Sequence, residues 1–454
     1  MNYNEAVKYV CDIPKFGVTV DGRNKSGNDN LSYVMEKLGN PHQKIKSIHI
    51  AGTNGKGSTA QFVSGILNAS GYKTGIFTSP HLVKINERIA INYIDREENI
   101  LIKEMISDDD FTECFNKVLH AVEESVKEEK MHLSFFEFVF AMAAVYFAEK
   151  KPDYVIYETG LGGRLDATNI INPEITAITS IGFDHTAYLG NTIEEIAGEK
   201  AGIIKANVPV VFNTGDIDAD YVIERVATKL QAEAINVAKN RYIINEITDK
   251  TIDFSIHNSY YKYDNLIINT KASYQVDNAT TAVVLCNKLL QKKEGIDENI
   301  VREGLELFSW PGRMERIHDN VILDGAHNVD AINRFIESVE LGYTESGKIN
   351  LLFAVAGDKD YEPMIQLLCE KLPLNKVYIT SINSMRGISS EYIAALFKLY
   401  LSKNREQGSY SVESNDDIKA IYEQAYGAVK YTQDMLFCVG SLYLIGSIKE
   451  IDKG

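Results

Sequence analysis

One stretch constrains this chain more than any other. Residues 45–51 (IKSIHIA) read as a buried strand, Gly52-Thr53-Asn54-Gly55-Lys56-Gly57 follows as a glycine-rich turn, and residues 58–69 carry helical spacing. Glycines in such a turn let backbone N–H groups close on an anion. The helix N-terminus adds partial positive charge, and Lys56 adds a full one. A strand, a glycine turn and a helix in this order predict an α/β fold with a phosphate-binding edge. The strict P-loop pattern sets Ser or Thr directly after the Lys; here Gly57 intervenes, leaving Ser58 or Thr59 to reach a magnesium ion or a phosphate oxygen.

The rest of the first half repeats the alternation. Residues 73–78, 154–157, 175–181 and 208–212 read as strands and 137–151 as a helix. Continuous apolar runs of this kind belong to parallel strands covered on both faces. Residues 241–270 alternate apolar and polar instead, which predicts antiparallel strands at the edge of the first domain. A helix over 277–290 and one more short helix follow. Ser309-Trp310-Pro311-Gly312 then breaks the pattern, and strands are expected at 321–323, 349–355, 376–380 and 435–439. A chain of 454 residues suggests about three domains by length alone. The pattern reduces that to two: a P-loop-type, doubly wound, mostly parallel sheet domain over 1–308 and a smaller Rossmann-like α/β domain over 309–454. Asp108-Asp109-Asp110 reads as a solvated helix start.

Charge and cysteine usage exclude several classes. The 47 basic and 63 acidic residues leave a net charge of −16, which argues against nucleic acid and acidic membranes as partners. The five cysteines (Cys11, Cys114, Cys286, Cys369, Cys438) form no CxxC pair, so buried free thiols in a reducing cytoplasm are expected. Residues 134–148 are the most apolar long stretch, but they contain Glu137 and fall short of the roughly 20 residues of a membrane span.

Other polar groups gather at strand ends. Glu158 closes an apolar strand and opens Glu158-Thr-Gly-Leu-Gly-Gly-Arg164-Leu-Asp166-Ala-Thr-Asn169. In an open α/β sheet that edge faces the ligand crevice, where a carboxylate suits Mg²⁺ beside phosphates. Asp184-His185 ends another apolar run; His185 could ligate a metal, orient a carboxylate or cap the next segment. Lys200, within Gly198-Glu-Lys-Ala-Gly202, is either part of a close-packed site or a solvated surface residue. Arg313 could clamp a phosphate from the second domain or form a structural salt bridge. Asp324-Gly-Ala-His327-Asn328 ends a further strand.

These pieces, in this order, resemble the folylpolyglutamate synthase/dihydrofolate synthase family of the Mur ligase superfamily. The resemblance runs over nearly the whole chain. It is carried by Leu38-Gly-Asn-Pro41, the residue 49–58 loop, Thr78-Ser-Pro-His-Leu82, Glu87-Arg-Ile89, Phe136-Glu-Phe138, the 158–169 segment, Asp184-His185, Gly198-Glu-Lys-Ala-Gly-Ile203, Pro311-Gly-Arg313 and Asp324-Gly-Ala-His-Asn328. It implies a cytoplasmic, monomeric ligase with a nucleotide domain and a glutamate-ligase domain. ATP would phosphorylate a carboxylate of folate or dihydropteroate, and the amine of L-glutamate would attack the acyl phosphate. ATP and Mg²⁺ are the implied cofactors, a monovalent cation being optional.

Carried over residue by residue, the family's nucleotide contacts fall on Asn54, Gly55, Lys56, Gly57, Ser58, Thr59, Asn278, Arg313 and Asp324. One metal site falls on Ser79 and Glu158, and a second on Glu158, His185 and a carbamylated Lys200. Lys56, Lys200, His185, Asp324 and His327 become the implied catalytic group, and the pterin pocket falls on Phe136, Glu137, Leu165, Asp166 and Ala167.

This chain departs from the family pattern in three places. Tyr274-Gln275 stands where the family often has His-Gln, so an aromatic stack is expected in place of a polar contact. Phe140 holds a position commonly occupied by Thr, which questions a pterin contact. The stretch from Tyr93 to Ser107 is longer than usual, which predicts a remodelled loop beyond Ser79-Pro80. Two rival readings are a Mur-type ligase acting on another carboxylate and a P-loop switch that makes no amide bond. The Leu38-Gly-Asn-Pro41 and Ser79-Pro-His-Leu82 pieces fit folate ligases better than the first, and the switch leaves the 324–328 cluster without a task.

Overall fold

The computed structural model describes residues 1–14, 28–98, 100–237, 242–248, 250–257, 261–291, 295–307, 310–343, 347–382, 387–406 and 408–453. Its first half is built on an eight-stranded sheet. Reading across, the strands are Ile100–Met105, Ile89–Asp95, Thr74–Phe77, Tyr154–Glu158, Lys46–Ala51, Ile175–Ile178, Val210–Phe212 and Ala234–Asn236. The six from Thr74–Phe77 onward pair in parallel. Four of these six are fully buried along their length, as the apolar runs predicted.

Helices cover both faces. Phe135–Lys150 begins where Ser134 and Glu137 form a reciprocal capping box, a device worth about 1 kcal/mol. Asp108–Lys127 begins at Ser107, whose side chain accepts from the Asp110 amide, with the three aspartates in its first turn. On the other face Lys56–Ala69 packs against Tyr274–Leu289, joining Phe62, Val63 and Ile66 to Val276, Ala279 and Val283 in one core.

The second half holds a six-stranded sheet in the order Glu315–His318, Val321–Leu323, Met435–Val439, Ile349–Phe353, Leu374–Ile379 and Ser411–Ser414. All pairs but the first are parallel. The C-terminal ends of both parallel sheets bring polar loops to one shared crevice, described below.

Several expectations are corrected. The stretch from Tyr93 to Ser107 lies largely in two antiparallel strands that extend the main sheet, with Tyr93 opposite Ile102. The strands Tyr242–Ile247, Ile252–His257 and Lys262–Ile268 are antiparallel as expected, and they form a separate three-stranded sheet. Its buried side, Ile252, Phe254, Ile256 and Leu266, joins the core beneath the helix Tyr274–Leu289. The helix after the glycine turn starts at Lys56, not at residue 58. Four cysteines are buried as expected, but Cys11 is exposed. The expected boundary at Ser309 lies outside the described residues. No helix among the described residues is long and apolar enough to cross a membrane.

Candidate active site

The phosphate loop is shaped by its glycines. Gly55 caps the helix Lys56–Ala69 in the left-handed region (φ 86°), and a Cβ there would lie 2.3 Å from the side-chain oxygen of Asn278. Gly57 packs so close to Trp310 that a Cβ would meet its ring at 2.9 Å. The Lys56 ammonium folds back onto the carbonyls of Gly52 (3.0 Å) and Thr53 (3.1 Å). Lys200, in the last turn of the helix Ile193–Lys200 and only 3% exposed, reaches the same Gly52 carbonyl at 2.9 Å. Two cations thus converge on one carbonyl. Burial lowers the pKa of both, and Lys56 presses Lys200 further, to about 7. The alternative of a solvated surface lysine is therefore overturned for Lys200.

A cleft of about 140 Å³ opens over this loop. Its walls include Ser58, Ser79, Glu158, His185 and Lys200 from the first half, and Arg313 and His327 from the second. Glu158 is 4% exposed, and one of its oxygens accepts the Ser79 amide at 3.0 Å. Burial raises its pKa, with Lys56, the Ser79 amide, Arg313 and Arg88 opposing. No described cation comes within ion-pair distance of it. A buried carboxylate in a cleft that Ser58 and Ser79 also line, with no ion-pair partner among the described residues, suits a hard divalent cation such as Mg²⁺. The set Glu158, His185 and Lys200 suits one only if Lys200 carries an added carboxylate, because an ammonium is no ligand.

The second cleft, about 100 Å³, shares Asn54, Gly55, Ser58 and Arg313 with the first and continues past Tyr274, Asn278 and Asp324. Asp324 is saturated: Oδ1 accepts the Ala326 amide at 2.8 Å, while Oδ2 accepts the Met314 amide and the Tyr274 hydroxyl, both at 2.9 Å. Tyr274 thus anchors Asp324 through its hydroxyl. Thr59 lines neither cleft and is fully buried, its hydroxyl donating to Asn278 at 3.4 Å. In His327, Nδ1 donates to the Gly325 carbonyl at 2.7 Å, which leaves Nε2 unprotonated. Burial lowers that imidazole to about 4, so it is neutral.

Polar links fasten the two halves around these clefts. The Asn54 amide donates to Asp330 at 2.8 Å, and the Asn328 amide donates to Asn54 and to Asp184, each at 3.1 Å. Lys359 donates to Asp184 at 2.7 Å and lies 3.4 Å from His185 Nε2. Burial would raise the Asp184 pKa, but Lys359, His185 and His327 outweigh it and hold the carboxyl well below the usual range.

A family model for the Mur ligase middle domain matches residues 50–286, and one for the Mur ligase glutamate ligase domain matches 312–442. The dihydrofolate synthase/folylpolyglutamate synthase of Bacillus subtilis is 35% identical over 99% of this chain and 98% of its own. This chain belongs to the folylpolyglutamate synthase/dihydrofolate synthase family of Mur ligases. The folylpolyglutamate synthase of Thermotoga maritima superposes with a TM-score of 0.79 at 31% identity, over 99% of this chain and 96% of its own. E. coli FolC in complex with DHPP and ADP superposes with a TM-score of 0.83 at 25% identity, over 100% and 98%. The chain is accordingly an ATP-dependent ligase.

The remaining residues expected in this ligase's site lie beside the clefts. Phe136 covers Gly160 so closely that a Cβ there would meet its ring at 2.7 Å. Glu137 accepts the Ser134 amide and hydroxyl at 2.8 and 2.7 Å, as a helix cap. Asp166 accepts the amides of Gly160 and Leu161, both at 2.8 Å, and so shapes the turn beside Glu158. Ala167 is buried and Leu165 is 61% exposed. Phe140 points into the core against Phe77 and Tyr157, away from the clefts. Lys359 and Asp330 were missed by sequence reasoning. Their only signal is position at or just before a helix start in the second half, which many surface residues share. Arg88 was seen only within a motif, with no role attached.

Proposed function

We propose that this ligase joins L-glutamate to folate acceptors, extending tetrahydrofolate and also converting dihydropteroate to dihydrofolate. One observation carries the reading: the cleft between the two halves gathers a phosphate loop, a buried carboxylate without an ion partner among the described residues, and Arg313 and His327 from the opposite wall. The relatives named for both activities support it.

The nucleotide fits the paired clefts, its phosphates on the amides of residues 55–58 and Lys56, its nucleoside toward Tyr274, Asn278 and Asp324. Ser58, Ser79 and Glu158 are the residues that would hold Mg²⁺. When bound, it would offset negative charge on the transferring phosphoryl group. Lys56, released from Gly52 and Thr53, swings to the phosphate. Arg313 neutralises charge from the other wall. The neutral Nε2 of His327 stands ready to accept a hydrogen bond from the incoming glutamate amine. Closure of the halves through Asn54, Asp184 and Lys359 keeps water from the acyl phosphate. Lys200, at about 7, has a substantial unprotonated fraction at neutral pH, the form that adds CO₂ to give a carbamate. Residues 1–308 act as the nucleotide domain and 309–454 as the glutamate-ligase domain of a cytoplasmic monomer.

Phosphate release is measured with ATP, Mg²⁺ and glutamate, adding dihydropteroate in one arm and tetrahydrofolate in the other. Release in both arms is expected. Release with tetrahydrofolate alone restricts the enzyme to polyglutamylation, and silence in both overturns the folate reading. Lys200→Ala should be inactive and partly rescued by short carboxylic acids; full activity in that variant removes the carbamate.

A further inference from the structure

Leu82 belongs to the first half of the chain by sequence and to the second half by packing. It follows the cleft residues Ser79 and Pro80, yet it packs against the hydrophobic core that holds Leu323, Leu444, Ile445 and Ile448. Its own segment is tied down by hydrogen bonds. Glu87 accepts the amides of Leu82, Val83 and Lys84 at 2.7, 2.9 and 2.8 Å. Nε of Arg88 donates to Nδ1 of His81 at 2.8 Å, and the Thr78 amide donates to the Arg88 carbonyl at 3.0 Å, closing the segment at its base. The second half receives Leu82 at two positions that carry no side chain. Gly446 lies buried in the helix Leu442–Lys453, where a Cβ would stand 2.1 Å from the Leu82 carbonyl oxygen. Glycine is a poor helix former, so this close approach, not the helix, accounts for it there. Gly312 holds φ 71°, and a Cβ on it would stand 3.1 Å from Ile445 and 3.7 Å from Leu82. The next residue, Arg313, lines both clefts, and Leu442 at the start of the helix lines the first.

From this geometry we infer that Leu82 is a positioning residue for the ligase reaction. Wedged between Gly312 and the helix Leu442–Lys453, it fixes the loop that carries Ser79 against the turn that carries Arg313. The inference rests on Ser79 and Arg313 serving the proposed site. They act on one triphosphate from opposite walls, so the spacing of the walls sets whether both reach it. A misplacement of about 1 Å in such a constellation costs on the order of a hundredfold in rate. Hydrogen bonds such as Lys359 to Asp184 hold the halves together. A close-packed side chain sets their distance more stiffly, because packed interiors resist compression.

The test uses the full-length enzyme, with Leu82→Ala, Leu82→Met and Gly446→Ala. Three quantities are followed well below each melting temperature: kcat with the KM of every substrate, the ratio of phosphate released to glutamate incorporated, and the affinity for ADP with Mg²⁺ by calorimetry. Leu82→Ala should lower kcat about tenfold to a hundredfold, with smaller changes in each KM and a severalfold weaker affinity for ADP with Mg²⁺. Leu82→Met nearly conserves the volume and should recover most of the rate. Gly446→Ala suits the helix better, yet it should lower kcat as Leu82→Ala does. The phosphate ratio should climb above one in both. Where Leu82→Ala does not fold, Gly446→Ala carries the test. A lower melting temperature in Leu82→Ala with wild-type kcat and phosphate ratio makes the residue a packing group alone and overturns the inference. Wild-type kcat in Gly446→Ala overturns it equally. If the wild-type enzyme turns over neither acceptor, the folate reading has failed. The ADP titration then decides, and equal affinity in wild type and both variants overturns the inference.

Discussion

At the scale of single residues, the site is a set of local conflicts that a ligand would resolve. Gly55 must hold φ 86° with Asn278 where a Cβ would go. Gly55→Ala should therefore cost about 1–2 kcal/mol from the backbone alone, with a further loss of nucleotide affinity, seen by denaturant unfolding and ATP titration. Lys56→Ala should reduce kcat/KM by about a thousandfold or more, with little change in melting temperature, because its partners are two loop carbonyls that water can reach. Lys200 gives a pH signature. Its amine sits at about 7 in the fold against an ordinary 10.5. Between those values the unfolded chain holds a proton that the native chain lacks, so this residue makes stability rise with pH across that window. Lys200→Met should flatten that rise, and raise the melting temperature most at pH 6, where the native chain must bury an ammonium.

At the scale of elements, the links between the two sheets matter more than any single strand. The Asp184 carboxyl is held below its ordinary 3.8, so the stability it contributes is present above that value and lost as pH falls through the lower native one. Lys359→Met should cost about 1–3 kcal/mol at pH 7, discounted for the 12% exposure of both side chains. The deficit should begin to shrink on acidification below the ordinary aspartate value and vanish only below the lower native one, followed by thermal unfolding at several pH values. Tyr274→Phe removes one hydrogen bond to Asp324 across the same junction and leaves that carboxylate its two amides. A stability loss of about 1 kcal/mol and a raised KM for ATP are expected.

At the scale of the whole molecule, closing the two halves serves chemistry. An acyl phosphate survives only where water is kept out. Combining Lys359→Met with Tyr274→Phe should loosen closure. The ratio of phosphate released to glutamate incorporated should then climb above one. A ratio that stays at one would show that these links do not guard the intermediate.

The strand–loop–helix at residues 46–69, the α/β class and most strands were legible in the sequence. Each follows from a periodicity or a turn chemistry that neighbours in the chain impose on one another. Glu158, Asp324 and His327 were legible as strand-end groups by the same logic. What tertiary structure alone decided is the pairing of groups far apart in sequence: Lys200 with Gly52, Asp184 with Lys359, Tyr274 with Asp324. It also decided that residues 89–105 extend the main sheet while 242–268 stand apart from it. Pattern tells which face of a strand is apolar, but not which partner will cover it.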